Sequence, residues 1–323
     1  MEIDNDYICI DKTNMTLQQL EYLVALDNHR NFVKAAEACR VTQPTLSMMV
    51  HKLEEEIGIR LFDRSGKPIQ VTAAGVNVIR KAHDILGEVK KLKAMVSHET
   101  ESMDGEFTLG IIPTLAPYVL PRFLPVFTKT HPRTHLRIRE MQTSAIIDGL
   151  SRGMLDMGLA VTPLHEQVIR EVPLFNEPFL VYLPKEHVLS KKKEIAPEEL
   201  HLDEMLLLEE GHCFREQALA ICSRGKKRFH RGFEYESGSI EAMKALVKKG
   251  IGLTLVPELS VSEKELLENT RRFKKPEPVR EVSLLVNRNF SREALIEELH
   301  SVITQSVPKG LTTKGKFKRV KWR

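Results

Sequence analysis

Apolar residues in the first third of the chain recur at helical steps. Leu17, Leu20, Leu23 and Val24 fall three or four positions apart within residues 16–26, which describes one face of a helix. Asn31 is placed to cap a second, short helix over residues 32–39. Thr42 is placed to cap a third, with Leu46, Val50, Leu53 and Ile57 on one stripe, Pro44 in the first turn where a missing N–H does no harm, and Gly58 at its end. Three helices with a tight connection between the second and third predict a helix-turn-helix, and residues 61–71 read as two short strands around a turn, a wing. Residues 73–101 contain no proline, and Val78, Ala82, Ile85, Val89, Leu92 and Val96 repeat in steps of four and three along one long helix. From Glu106 the texture changes. Strands at 107–112, 136–138 and 157–161 alternate with helices at 117–129 and 144–153. A second set follows, with strands at 179–183, 205–208 and 253–256 and helices after Gly211 and over 239–249. Such alternation predicts a parallel sheet covered by helices.

Composition narrows the class. A chain of 323 residues exceeds what one core usually supports, and 42% hydrophobic with 28% charged residues describes a folded protein of more than one domain. The sequence shows neither a basic start followed by an apolar stretch nor a run of about 18 apolar residues, so the expected location is the cytoplasm, with no membrane partner. A net charge of +4 suits nucleic acid only where it is concentrated. The face of the third helix opposite its apolar stripe carries Gln43, Pro44, Thr45, Ser47, Met48 and His51, side chains able to read base edges, and Arg64 and Lys67 on the wing suit phosphates. A plain three-helix packing module with a solvated polar face is the alternative. The long helix is best satisfied by pairing with its copy through Val78, Ile85, Val89 and Leu92, or else by docking on its own chain. The run from Lys309 is basic without an acidic residue; solvated tails are commoner than DNA-binding ones. Four cysteines, Cys9, Cys39, Cys213 and Cys222, are too few for a disulfide framework. Cys39, beside Ala35 and Ala36, reads as core. A zinc site from His212, Cys213, Cys222 and His230 fits no tetrahedral spacing, so neither metal nor cofactor is expected.

The segments Thr16-Leu17-Gln18-Gln19-Leu20-Glu21-Tyr22-Leu23, Ala35-Ala36, Val41-Thr42-Gln43-Pro44-Thr45-Leu46-Ser47, Leu53-Glu54-Glu55-Glu56-Ile57-Gly58, Leu61-Phe62-Asp63-Arg64 and Thr72-Ala73-Ala74-Gly75 closely resemble the LysR-type transcription regulators. The resemblance runs from Met15 to about Pro308. It implies an all-α winged helix-turn-helix at 15–72, a dimerising linker helix at 73–103 and an α/β effector module at 104–308. That module would have two Rossmann-like subdomains arranged as in periplasmic binding proteins, about 104–178 with 281–308 and about 179–280. Residues 1–14 would be an extension and 309–323 a basic tail. Promoter DNA, a homodimer or homotetramer and RNA polymerase are the implied partners, and no enzymatic activity is implied.

Further segments resemble the peroxide-sensing members of that family: Ile112-Pro113-Thr114 with Pro117-Tyr118, Glu140-Met141-Gln142-Thr143, Glu209 through Leu219, Cys222, and Lys275-Pro276-Glu277-Pro278-Val279-Arg280. This implies that Cys213 reacts with hydrogen peroxide and that Cys222 resolves it as a reversible disulfide. It also implies that Thr114, Thr143, His212 and Arg280 line the peroxide pocket, and that the protein controls oxidative-stress genes, with activation or repression left open. The local chemistry points the same way. Gly211 precedes a helix start, so Cys213 would sit among free N–H groups with His212 and Arg215 nearby, conditions that favour a thiolate. On one continuous helix Cys213 and Cys222 would lie about 13.5 Å apart along the axis on opposite sides, whereas a disulfide needs Cα atoms within about 4.4–6.8 Å. Joining them requires the segment to rearrange. A regulator binding a metabolite between its subdomains, a thiol peroxidase and a pair of inert buried thiols are the competing readings.

Overall fold

The computed structural model describes residues 15–66, 68–96, 103–222, 237–312 and 317–320. Cys9, Lys67 and His230 lie outside them. The chain divides into two compact units, Met1–Ser97 and His98–Arg323.

In the first unit, helices α1 (Leu17–His29), α2 (Phe32–Ala38) and α3 (Gln43–Ile57) start where capping side chains stop the extended chain. Thr16 Oγ1 accepts from the Gln19 N–H at 3.3 Å while Gln19 Oε1 accepts from the Thr16 N–H at 2.8 Å, a reciprocal capping box. Asn31 Oδ1 accepts from Val33 and Lys34, and Thr42 Oγ1 from Thr45. The antiparallel pair β1 (Phe62–Asp63) and β2 (Gln70–Val71) forms the wing. Helix α4 (Ala73–Val96) follows. Its start packs so closely that a Cβ on Gly75 would meet the Leu61 carbonyl oxygen at 2.3 Å, which accounts for glycine in the Thr-Ala-Ala-Gly run. Leu23, Leu26, Leu46, Val50, Ile79 and Ala82 are among the residues of one buried cluster.

In the second unit, β3 (Gly105–Ile111), α5 (Ala116–Thr130), β4 (Thr134–Glu140), α6 (Thr143–Ser151) and β5 (Met157–Thr162) alternate as predicted. Then come β6 (Ile169–Tyr182), β7 (Glu194–Ile195), α7 (Cys213–Ile221), α8 (Ile240–Lys248), β8 (Thr254–Pro257), α9 (Glu263–Glu268), β9 (Thr270–Phe273), β10 (Pro278–Asn287), α10 (Glu293–Ser306), α11 (Lys309–Thr312) and β11 (Lys318–Arg319). The sheet path is β4-β3-β5-β10-β6-β9-β7, with β8 on β6 and β11 on β10. The sheet is mixed, which corrects the parallel expectation: β3 is parallel to β4 and β5, but β10 is antiparallel to β5 and β6. The chain re-enters the first half from the second as β10, and that return reverses the strand direction. Two apolar cores result. One lies around Leu109, Phe123, Leu159 and Leu284, the other around Leu180, Tyr182, Phe214 and Leu255, with β6 feeding both.

Two further expectations change. Residues 205–208 form no strand; Met205 makes an isolated bridge to Leu253. The basic run from Lys309 is not wholly solvated, because Lys318–Arg319 pairs in parallel with Pro278 and Val279 of β10. Backbone pairing needs an open strand edge rather than apolar side chains, so charge alone misjudges such a segment.

Candidate functional site

Cys213 opens α7, and Cys222 is the residue that ends it. Both are free, buried thiols. Cys213 belongs to the first apolar core, whereas its neighbour Phe214 and Cys222 belong to the second. Helix α7 therefore runs from one core to the other. Gly211, at φ +91°, makes the turn into it, and a Cβ there would meet the Gln142 amide at 2.8 Å. That contact sets the loop before Cys213 against the start of α6, whose first residue is Thr143.

The electrostatics of Cys213 differ from the sequence expectation. Burial dominates and pushes the thiol above its ordinary range, opposed by the charge of Arg280, a hydrogen bond with the Thr143 side chain and the Phe214 backbone N–H. Burial thus outweighs the features that favour a thiolate, contrary to the bias read from the sequence. Arg215 turns away from the sulfur: its Nη1 donates to the Leu208 carbonyl at 2.7 Å, and Nη2 lies 3.9 Å from Glu210. His212 is buried, with Nε2 3.4 Å from Glu209 Oε1. Among the described residues, only burial acts on Cys222, and it raises the thiol to about 12. The ends of α7 thus differ. One sulfur has a cation and a hydroxyl beside it, and the other has neither among the described residues.

Arg280 is anchored in a buried network. Its Nη1 donates to Thr114 Oγ1 at 3.0 Å and its Nη2 to the Thr114 carbonyl at 3.0 Å. Nε and Nη2 reach Glu177 Oε2 at 2.9 and 2.7 Å. The guanidinium lies 5.4 Å from the centre of the Phe214 ring. Thr114, Thr143 and Arg280 are brought together around Cys213 in this way. Glu177 escaped sequence reasoning; a lone glutamate in a strand gives no signal until its partner 103 residues later is placed beside it.

On α3, Gln43, Pro44, Met48 and His51 are exposed, while Thr45 and Ser47 are half-buried. Arg64, read from the sequence as suited to phosphate, is paired within its own unit. Its Nη2 lies 2.6 Å from Glu54 Oε2, while Glu54 Oε1 accepts from the Leu61 and Phe62 N–H groups at 2.8 and 3.2 Å. The guanidinium also stacks 5.3 Å from the Phe32 ring centre. Its first role is to tie the wing to α3. Along α4 the seam divides: Ala82 is buried in the unit's own core with Val78 packed against it, while Ile85 and Leu92 are 38% and 63% exposed.

Comparison with known proteins adds the family. Residues 17–76 match the bacterial regulatory helix-turn-helix protein model of the lysR family, and residues 100–308 match the LysR substrate binding domain. A hydrogen peroxide-inducible genes activator of Dickeya chrysanthemi is 35% identical over 291 residues, 88% of this chain and 93% of that protein. The DNA-binding transcriptional dual regulator OxyR of Escherichia coli K12 is 34% identical over 295 residues, 90% of this chain and 95% of its own. Among solved structures, a full-length cysteine-to-aspartate variant of OxyR from Pseudomonas aeruginosa superposes with a TM-score of 0.76 at 33% identity, over 90% of this chain and 98% of that one. A hydrogen peroxide-bound cysteine-to-serine mutant of Corynebacterium glutamicum OxyR gives 0.56 at 26% identity, over 94% and 98%. The two matching models join a DNA-binding module to a sensing module, an arrangement of regulators and not of enzymes. The chain belongs to the LysR family of bacterial transcription regulators.

Proposed function

We propose that this regulator senses hydrogen peroxide through a reversible Cys213–Cys222 disulfide and controls oxidative-stress genes. The observation that carries the reading is the pairing of Cys213 with Thr143 and Arg280 at one end of α7 while a second buried thiol closes the other end. Similarity to proteins named as peroxide-inducible activators supports it.

The chemistry follows. Thiol and thiolate of Cys213 are in equilibrium, and the thiolate attacks one peroxide oxygen. An S–O bond forms as the O–O bond breaks, and the hydroxide leaving group takes a proton to become water. Sulfur is oxidised by two electrons and peroxide is reduced by two. Arg280 favours the anionic sulfur, and Thr114, Thr143 and His212 are the proposed polar lining for the peroxide. The Cys222 thiolate then attacks the sulfenic sulfur, forming the S–S bond and releasing the sulfenic hydroxyl as a second water once protonated. A two-electron dithiol reductant resets the pair.

On the DNA side, we infer that Gln43, Pro44, Thr45, Ser47, Met48 and His51 in the 15–72 module face the groove. The exposed seam residues Ile85 and Leu92 of α4 would pair two chains as a homodimer, or as part of a homotetramer. The 104–308 module would sense. Action on promoters in the cytoplasm together with RNA polymerase completes the proposal. Counting free thiols before and after stoichiometric peroxide, with DNA footprints of both states, tests it. Loss of two thiols with a changed footprint is expected, with Cys213→Ser losing the response and Cys222→Ser stopping at the sulfenic acid. A wild-type protein that keeps both thiols, or a Cys213→Ser footprint that still responds to peroxide, overturns it in favour of a metabolite effector.

A further inference from the structure

Gln217 lies on α7 between the two cysteines, fully buried. Its Nε2 donates to the Val320 carbonyl at 2.7 Å, and its Oε1 has no partner among the described residues. A buried amide held by a single hydrogen bond depends on that bond. The acceptor sits just past β11, which is fastened to β10 on both sides of Arg280. The Lys318 N–H donates to the Glu277 carbonyl at 3.0 Å and the Val320 N–H to the Val279 carbonyl at 2.9 Å. Arg319 Nη2 lies 2.7 Å from Glu281 Oε2. The Val320 side chain enters the same apolar core as Phe214 and Cys222. One short segment thus grips the strand that carries Arg280 and the helix that separates the sulfurs.

We propose that Lys318–Val320 is a latch that holds α7 helical in the reduced protein and sets how readily the two cysteines meet, with Gln217 as its catch. The inference rests on the peroxide reading for its consequence, but not for its geometry. For the Cys213 and Cys222 sulfurs to approach, α7 must unwind, and Gln217 cannot keep its place on an unwound α7. Release of the Gln217–Val320 bond therefore accompanies disulfide formation and opposes it. Peroxide attack on Cys213 does not require that release. The latch consequently controls the second oxidation step and leaves the first alone.

The test uses the full chain, a chain ending at Phe317, and the point variants Gln217→Leu and Arg319→Ala. In the reduced proteins, hydrogen exchange of the α7 backbone amides should speed up about tenfold without the latch, the factor for one lost buried hydrogen bond. After peroxide, trapping with a sulfenic-acid reagent should show Cys213 oxidised at the wild-type rate, while the disulfide forms about tenfold faster by the same bond loss. Combining Gln217→Leu with the shortened chain should add nothing beyond the shortened chain alone, because the Gln217–Val320 bond is already lost there. Unchanged exchange in the shortened chain and in Gln217→Leu overturns the latch, as does a slower disulfide step. Should the shortened chain fail to fold, Gln217→Leu and Arg319→Ala decide the matter. A wild-type protein that keeps its thiols overturns the peroxide reading instead, and the exchange measurement still decides the latch.

Discussion

Arg280 and Glu177 meet with neither side chain reaching solvent, and both Nε and Nη2 of the arginine fall on the same carboxylate oxygen, Oε2. The other oxygen, Oε1, accepts from the Leu259 N–H at 2.8 Å. The glutamate therefore has a partner on each oxygen, and the arginine keeps Nη1 for Thr114. The pair fixes a cation beside Cys213 at low mobility.

Removing one member leaves a buried charge. Arg280→Met should cost about 3–5 kcal/mol in urea unfolding, and Arg280→Met with Glu177→Leu should recover much of that. In both variants the Cys213 thiol loses its cation, so peroxide oxidation at neutral pH should slow. A single variant as stable as the wild type would show that Glu177 takes up a proton or finds another partner.

The pH response follows from the buried thiols. A folded-state pKa raised above the unfolded value of about 8.5 gives stability that is whole below that value and falls as pH rises towards the folded one. For Cys222 the window extends from about 8.5 to about 12. Alkaline denaturation of the reduced protein should therefore lose on the order of a few kcal/mol across it, and Cys222→Ala should flatten the curve. Cys213, raised in the same direction by burial, should react with peroxide faster as pH increases above neutrality. A flat rate profile would mean that the thiol form itself reacts or that another step limits.

The reading face and the wing separate by mutation. Gln43→Ala should weaken a specific DNA site by about 1–3 kcal/mol while affecting random DNA less, measured by titration at two salt concentrations. Arg64→Ala should lower the melting temperature of the first unit, because it releases Glu54 and the wing, before any effect on DNA is considered. An Arg64→Ala protein of unchanged stability with a lower salt dependence would return that residue to a phosphate-contacting role.

The seam of α4 should show two behaviours. Leu92→Glu should shift sedimentation towards the single chain with little change in thermal stability of the isolated subunit. Ala82→Glu buries a charge in the chain's own core and should unfold the first unit. If Leu92→Glu left assembly intact, the pairing surface would lie elsewhere.

The first unit was largely legible because its signals are local. Thr16 with Gln19, Asn31, Thr42 and Gly58 mark helix ends within a few residues of where they act. The Cys213 region was legible through its motif, and the position of α7 followed from Gly211. What escaped depends on distant chain meeting distant chain. The first half of β6 carries Arg170, Glu171, Pro173 and Asn176, so no apolar run announces it, yet it pairs with β10 more than a hundred residues on. Local reading of the thiol's surroundings pointed to Arg215, which is near in sequence, whereas Arg280, which is near in space, was reached only through the resemblance. The basic segment at Lys318–Arg319 looked like solvent-loving tail because its backbone pairing with β10 and the ion pair of Arg319 with Glu281 both depend on distant residues.

Strand β6 runs from one half of the sensing unit into the other without interruption, and its ladder with β10 shifts register once, between Val282 and Ser283. The halves therefore share a spine rather than hang on separate linkers. A bulge is where a ladder is weakest and its twist greatest, so relative movement of the halves would be taken up there as torsion along the shared strand. The oxidation signal would then travel as a change in the pitch of two strands, arriving at the Ile169 and Asn287 ends as a rotation without any lid having moved.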